Sequence, residues 1–279
     1  MVKVPEGLVL AADSATTVQA GLVPPGHDGG TSGILKVFLN ATKVFQIRDL
    51  PVGVLTWGAG AFQARTIASL VEEFENSETI RETSRQSLSI RDVADTFWDF
   101  MRSKSDEFFA EIPIDSRPRS GFVICGYSKS EFFPEEYAVV VPTNVPQRVR
   151  EPIENQPNFG ANWYGSTDAI VRLHHGRDDR IFNLLRRFGM EEEQLSSLRE
   201  KISQEIQYTI LFHAMPLGDA IDYAEFIVQT TISRFRFVVG AEVCGGPVDI
   251  ATITRKEGFR WVVRKGEVRN DGGDKASQR

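Results

Sequence analysis

The sequence predicts one α+β domain, and three observations carry that prediction. Short β-branched and aromatic runs come in groups at the start, the middle and the end of the chain. Long stretches with apolar residues at helical spacing separate them in pairs. No linker-like composition divides residues 1–266, so strands, two helices, strands, two helices and strands belong to one body, with sheets stacked and helix pairs on their faces.

The first sixty residues read as strands: Leu8-Val9-Leu10, then Ile34 to Leu39 with Lys43 to Ile47 as a hairpin, then Val52 to Trp57. Gly21 to Gly33, rich in glycine and proline, reads as a surface loop. Gly58-Ala59-Gly60 opens a helical pattern that runs through Phe74. A second helix fits Ile90 to Ala110, with Ser89 as N-cap and Asp92 favourably placed in the first turn. Strands return at Gly121 to Tyr127 and Tyr137 to Val141, followed by a proline-rich connection from Pro142 to Pro157. Ala161 to Ser166 is a short strand, and Ala169 to Leu173 starts a helix. Met190 to His213 and Leu217 to Arg234 read as two long helices, and Val248 to Thr254 with Gly258 to Val263 as a closing hairpin. Residues 267–279 are polar and are expected to be a disordered tail.

Composition narrows the function classes. A net charge of -6 argues against a nucleic-acid partner, because phosphate contacts need a basic surface. No run approaches the apolar length of a membrane span, and Leu8 to Ala12 is too short for a signal peptide. A cytoplasmic protein is therefore expected. Cys125 and Cys244 lack metal-ligand spacing and read as two reduced, buried thiols.

Asp13 closes an apolar strand and Lys43 opens another, so the two can form a buried ion pair suited to proton chemistry, or simply a structural one. Ser166 follows a glycine before a helix, a place also suited to an N-cap. Cys244 could be a nucleophile, but no histidine lies near it in sequence, and a packed inert thiol is the simpler reading. His174-His175 read as surface residues at a helix end, Phe97, Trp98 and Phe100 as core or subunit interface, and Glu191-Glu192-Glu193 as a solvated helix start. No metal or organic cofactor is indicated.

Four segments, in this order, resemble the proteasome β-subunit family of N-terminal-nucleophile hydrolases. They are Gly7-Leu8-Val9-Leu10-Ala11-Ala12-Asp13-Ser14, Lys43-Val44-Phe45-Gln46-Ile47, Val52-Gly53-Val54-Leu55-Thr56-Trp57-Gly58-Ala59-Gly60 and Gly245-Gly246-Pro247-Val248-Asp249-Ile250. The resemblance implies a four-layer αββα sandwich that self-associates into rings or other oligomers and takes a peptide or unfolded protein as substrate. It implies an N-terminal threonine whose hydroxyl attacks the peptide carbonyl while its own α-amine takes the proton. By the same resemblance Lys43 eases deprotonation of that hydroxyl, Asp13 holds Lys43, Ser166 polarises the amine, and Gly58 to Gly60 supply an oxyanion-hole amide.

The chain departs from that pattern in two places. Aligned on Asp13, the threonine falls about four positions ahead of Met1, and Thr16 and Thr17 lie on the wrong side of Asp13. Ala241 and Cys244 stand where the family has an aspartate and a serine. The expected function is thus a threonine-type peptide-bond hydrolase whose nucleophile lies upstream of Met1. Its alternatives are a non-catalytic, assembly-forming subunit and an unrelated α+β binding protein.

Overall fold

Strands whose alternate residues are apolar on both sides need cover on both faces, and this requirement sets the architecture. The computed structural model describes residues 1–19, 34–154 and 156–266, and shows a mixed α/β fold built on two antiparallel five-stranded sheets. The expected loop at Gly21 to Gly33 and the expected tail at 267–279 lie outside the described residues.

The first strands are β1 (Val2–Val4), β2 (Gly7–Ala12), β3 (Thr16–Gln19), β4 (Ile34–Phe38), β5 (Val44–Gln46) and β6 (Val52–Gly58), then the short β7 (Ala61–Phe62) and β8 (Arg65–Thr66). Helices α1 (Ile67–Glu75), α2 (Glu78–Glu82) and α3 (Ile90–Phe108) follow. Next come β9 (Ser120–Gly126), β10 (Glu135–Val141), β11 (Asn144–Arg148) and β12 (Gly160–Ala161). Helices α4 (Asp168–His175), α5 (Arg180–Arg187), α6 (Glu192–Glu205) and α7 (Leu217–Phe237) lead into the closing hairpin β13 (Asp249–Thr254) and β14 (Gly258–Val263). One sheet has the order β12-β1-β2-β13-β14, and the other β11-β10-β9-β6-β5.

Alternation assigns the core residues to three apolar clusters. Leu8 and Leu10 of β2 join Ala251 and Ile253 of β13 against Leu55, Val123 and Cys125 of the second sheet. Gly53 permits this approach, since a Cβ there would lie 2.6 Å from Leu10 Cδ1 and 2.8 Å from Ile253 Cδ1. The intervening Val9, Ala11 and Ile250 turn the other way, onto Ala220 and Ala224 of α7. In the second sheet Val54, Phe122 and Ile124 face Phe74, Phe97 and Met101 of α1 and α3, with Phe74 and Phe97 edge to face at 4.9 Å. Truncating a residue as enclosed as Leu10 or Phe97 to alanine should cost about 2–5 kcal/mol.

Helix α3 starts as the sequence predicts: Ser89 Oγ accepts from Asp92 N at 3.2 Å, and Asp92 sits in the first turn. Elsewhere local pattern and structure part. Ile34–Phe38 pairs with Thr16–Gln19, whereas Val44–Gln46 pairs with Val52–Gly58 around a tight turn at Arg48 (φ 48), so the expected hairpin between 34–39 and 43–47 does not form. Left-handed backbone at Gly58 and Gln63 folds residues 61–66 into a small ribbon, and α1 begins only after Thr66 caps Ser69 N. Part of the proline-rich 142–157 connection is β11. The long helix expected from Met190 to His213 stops at Glu205, where Tyr208 N donates to His174 O and Gln207 engages His175. Helix α5 lies outside the elements expected from the sequence; it is short, and among its apolar residues Phe182 is the buried one. Among the described residues no helix is long and apolar enough to cross a membrane.

Candidate active site

The two sheets end beside one another, and their ends build the site. Asp13 follows the last residue of β2, Lys43 precedes β5, and Lys43 Nζ lies 2.6 Å from Asp13 Oδ1. The pair is mostly enclosed, at 20% and 13% side-chain exposure. The other carboxylate oxygen of Asp13 accepts the Ala15 and Gly245 amides, each at 3.0 Å. Asp13 therefore fixes both the lysine and the glycine loop after Cys244.

A cavity of about 540 Å³ opens over this pair, and Met1, Asp13, Lys43, Ser166 and Cys244 all line it. Ser166 is exposed there, and the residue in the N-cap position of α4 is Thr167, with no side-chain capping bond. Gly58 to Gly60 also border the cavity, although the Ala59 amide is spent on Arg119 O at 2.9 Å. One wall is the stacked pair Trp57 and Tyr164, 4.2 Å between ring centroids. Gly121 makes room for it, because a Cβ at that position would overlap the Trp57 indole.

The Met1 α-amine is buried and donates to Asn162 O at 2.9 Å, extending the β1–β12 ladder. Burial, and next the Arg150 guanidinium, lower its pKa to about 6 against an opposing pull from Glu136. Beneath it Glu136, fully buried, accepts from Arg150 at 2.6 Å. Burial, and next the Asp13 carboxylate, push the Cys244 thiol up to about 12, with Lys43 pulling the other way.

Three further features were not read from the sequence. The Trp57–Tyr164 wall and the Glu136–Arg150 pair join residues far apart in the chain, and no short motif marks them. The third, Lys265 on Asp249 at 2.5 Å, could have been found by continuing the closing hairpin past Ile250 and Val263. Both cysteines are free and buried, as expected. His174 is buried against Trp163 rather than exposed at a helix end, and among the described residues no group of three or more His, Cys, Asp or Glu could hold a metal.

No family model matches the chain, and neither does any curated protein. Its fold is similar to that of solved Anbu structures. The helical assembly of the Anbu complex from Pseudomonas aeruginosa aligns over 95% of this chain and 86% of that one, at TM-score 0.55 and 16% identity. Anbu, the ancestral beta-subunit, from Yersinia bercovieri aligns over the same shares at TM-score 0.53 and 13% identity. These findings overturn the family named from the four motifs: the structural likeness is to Anbu, and no proteasome β-subunit family matches. The physical reason is that the strand ending in Asp13 and the strand opening at Lys43 are features of the sheet ends, and so mark a fold rather than one family within it.

Proposed function

We propose that this chain is a self-associating subunit with a four-layer αββα fold whose Asp13–Lys43 cavity hydrolyses peptide bonds with an N-terminal threonine. The three apolar clusters support the layering, and the helical assembly formed by the Pseudomonas Anbu complex supports self-association.

One observation carries the catalytic reading. Strand β1 pairs with β12, Val2 opposite Ala161, and the Met1 amine bonds Asn162 O in the cavity lining, so residues added ahead of Met1 would run along the segment that leads to Ser166. A threonine there would enter beside Asp13 and Lys43. Its hydroxyl would attack the carbonyl carbon as its α-amine, which ordinarily titrates at about 7.7–8.0, accepts the proton; passing that proton to the departing amine would break the C–N bond, and water would then hydrolyse the acyl ester and free the threonine. The Lys43 ammonium, held by Asp13, would stabilise the developing alkoxide. Ser166 would hydrogen-bond the amine.

The second reading is a subunit that assembles without cleaving. It is favoured by Cys244, which brings a thiol rather than a hydroxyl to the cavity, and by Ala241, which carries no carboxylate. The test is a chain with four residues, threonine first, placed ahead of Met1 and freed of its initiator methionine. Cleavage of a fluorogenic peptide supports the hydrolase. A folded assembly without turnover between about pH 6 and 9 overturns it in favour of the assembly role.

A further inference from the structure

We propose that Lys265 is a positioning residue for the Asp13–Lys43 site, holding together the three chain segments that form it; this deepens the hydrolase reading and rests on it for its catalytic consequence. The segments are Asp13–Ala15, Ala41–Lys43 and Gly245–Pro247. Backbone bonds already link them: Ser14 N to Gly245 O and Ala41 N to Ser14 O, both 2.9 Å. Ser14, fully buried, adds Oγ to Pro247 O at 2.8 Å.

Lys265 reaches this junction from beyond the end of β14. Its Nζ donates to Ser14 Oγ at 3.1 Å, Ala41 O at 2.9 Å and Asp249 Oδ2 at 2.5 Å. An ammonium has three N–H donors, so each has a partner. Asp249, buried at the start of β13, is engaged on its other oxygen by the Lys265 amide at 2.8 Å. Each donor thus lands on a different stretch of chain: one on the residue after Asp13, one two residues before Lys43, one two residues after Pro247. With no proton left to give into the cavity, Lys265 acts through position alone. Loosening it frees the Lys43 segment and the Cys244 loop relative to Asp13.

The test pairs Lys265→Met with Asp249→Asn in the full chain, which removes the ammonium without leaving a bare carboxylate buried. Iodoacetamide labelling of each cysteine is followed by mass spectrometry. Cys244 should react at least about tenfold faster at pH 8, while fully buried Cys125 keeps its rate and Lys265→Arg restores that of Cys244. In the threonine-extended chain kcat should fall about tenfold or more with KM within about twofold. Should the double variant fail to fold, Asp249→Asn alone weakens one arm of the ammonium and should raise Cys244 labelling about threefold. A Cys244 rate equal to wild type overturns the tether, as does a parallel rise at Cys125, which marks general unfolding. Faster Cys244 labelling in a protein that cleaves no peptide keeps the tether and sinks the hydrolase; cleavage with an unchanged kcat in the double variant does the reverse.

Discussion

Asp13 and Lys43 join the two sheets: the first closes β2 in one, the second precedes β5 in the other, and they meet at 2.6 Å. Asp13 has more to hold than Lys43, since it also receives the Ala15 and Gly245 amides. Lys43→Met should therefore cost about 1–2 kcal/mol and Asp13→Ala about 2–4 kcal/mol, the pair being partly solvated. Urea denaturation measures both, and the reverse ranking would contradict the role given to Asp13.

The buried Met1 amine makes stability depend on pH. Its folded pKa, about 6, lies below the ordinary 8.0, so between these values the unfolded chain binds the extra proton. Unfolding free energy should rise with pH across that window, by up to about 2–3 kcal/mol, and level off above pH 8. Residues added ahead of Met1 move the amine elsewhere and should flatten the curve. A rise of the same size in the extended chain would assign the effect to another group.

Glu136 is fully buried and ion-paired with Arg150, which also bonds Asn162. Arg150→Met leaves that carboxylate without its partner and should cost about 3–5 kcal/mol, whereas adding Glu136→Gln should recover much of the loss. Calorimetry on both variants decides this: an additive double variant would mean that the two residues act separately.

Much of the fold was legible because β2, β9 and β13 carry dense apolar runs and α3 has a capping serine at the right spacing. What escaped was decided by distant contacts. Strand β4 pairs with the strand before it, β3, rather than with β5 after it, which local pattern does not decide, and α6 ends where the distant α4 takes a backbone donor. In the site, Asp13 and Lys43 stood at strand ends and could be paired by eye. Lys265 was legible only in part: continuing the closing hairpin brings it to Asp249, but its acceptors at residues 14 and 41 lie far away in the chain. The motifs that led to one family belong to the sheet ends, which is why they predicted the fold better than the relative.

The aromatic wall of the cavity gives a spectroscopic handle. Gly121→Ala would drive a methyl into the Trp57 indole and break its stack on Tyr164. Overpacking of this kind costs about 1–3 kcal/mol. Tryptophan emission should shift and cavity-dependent activity should fall; unchanged emission would show that Trp57 is not held as described.

The most direct measurement is the rate at which the threonine-extended chain cleaves a fluorogenic peptide, with Lys43 intact and as Lys43→Ala. The intact site should turn over substrate, and loss of the ammonium should lower kcat by about a hundredfold or more while the protein stays folded. Equal rates in the two proteins would contradict the assignment of this cavity as a lysine-assisted hydrolytic site.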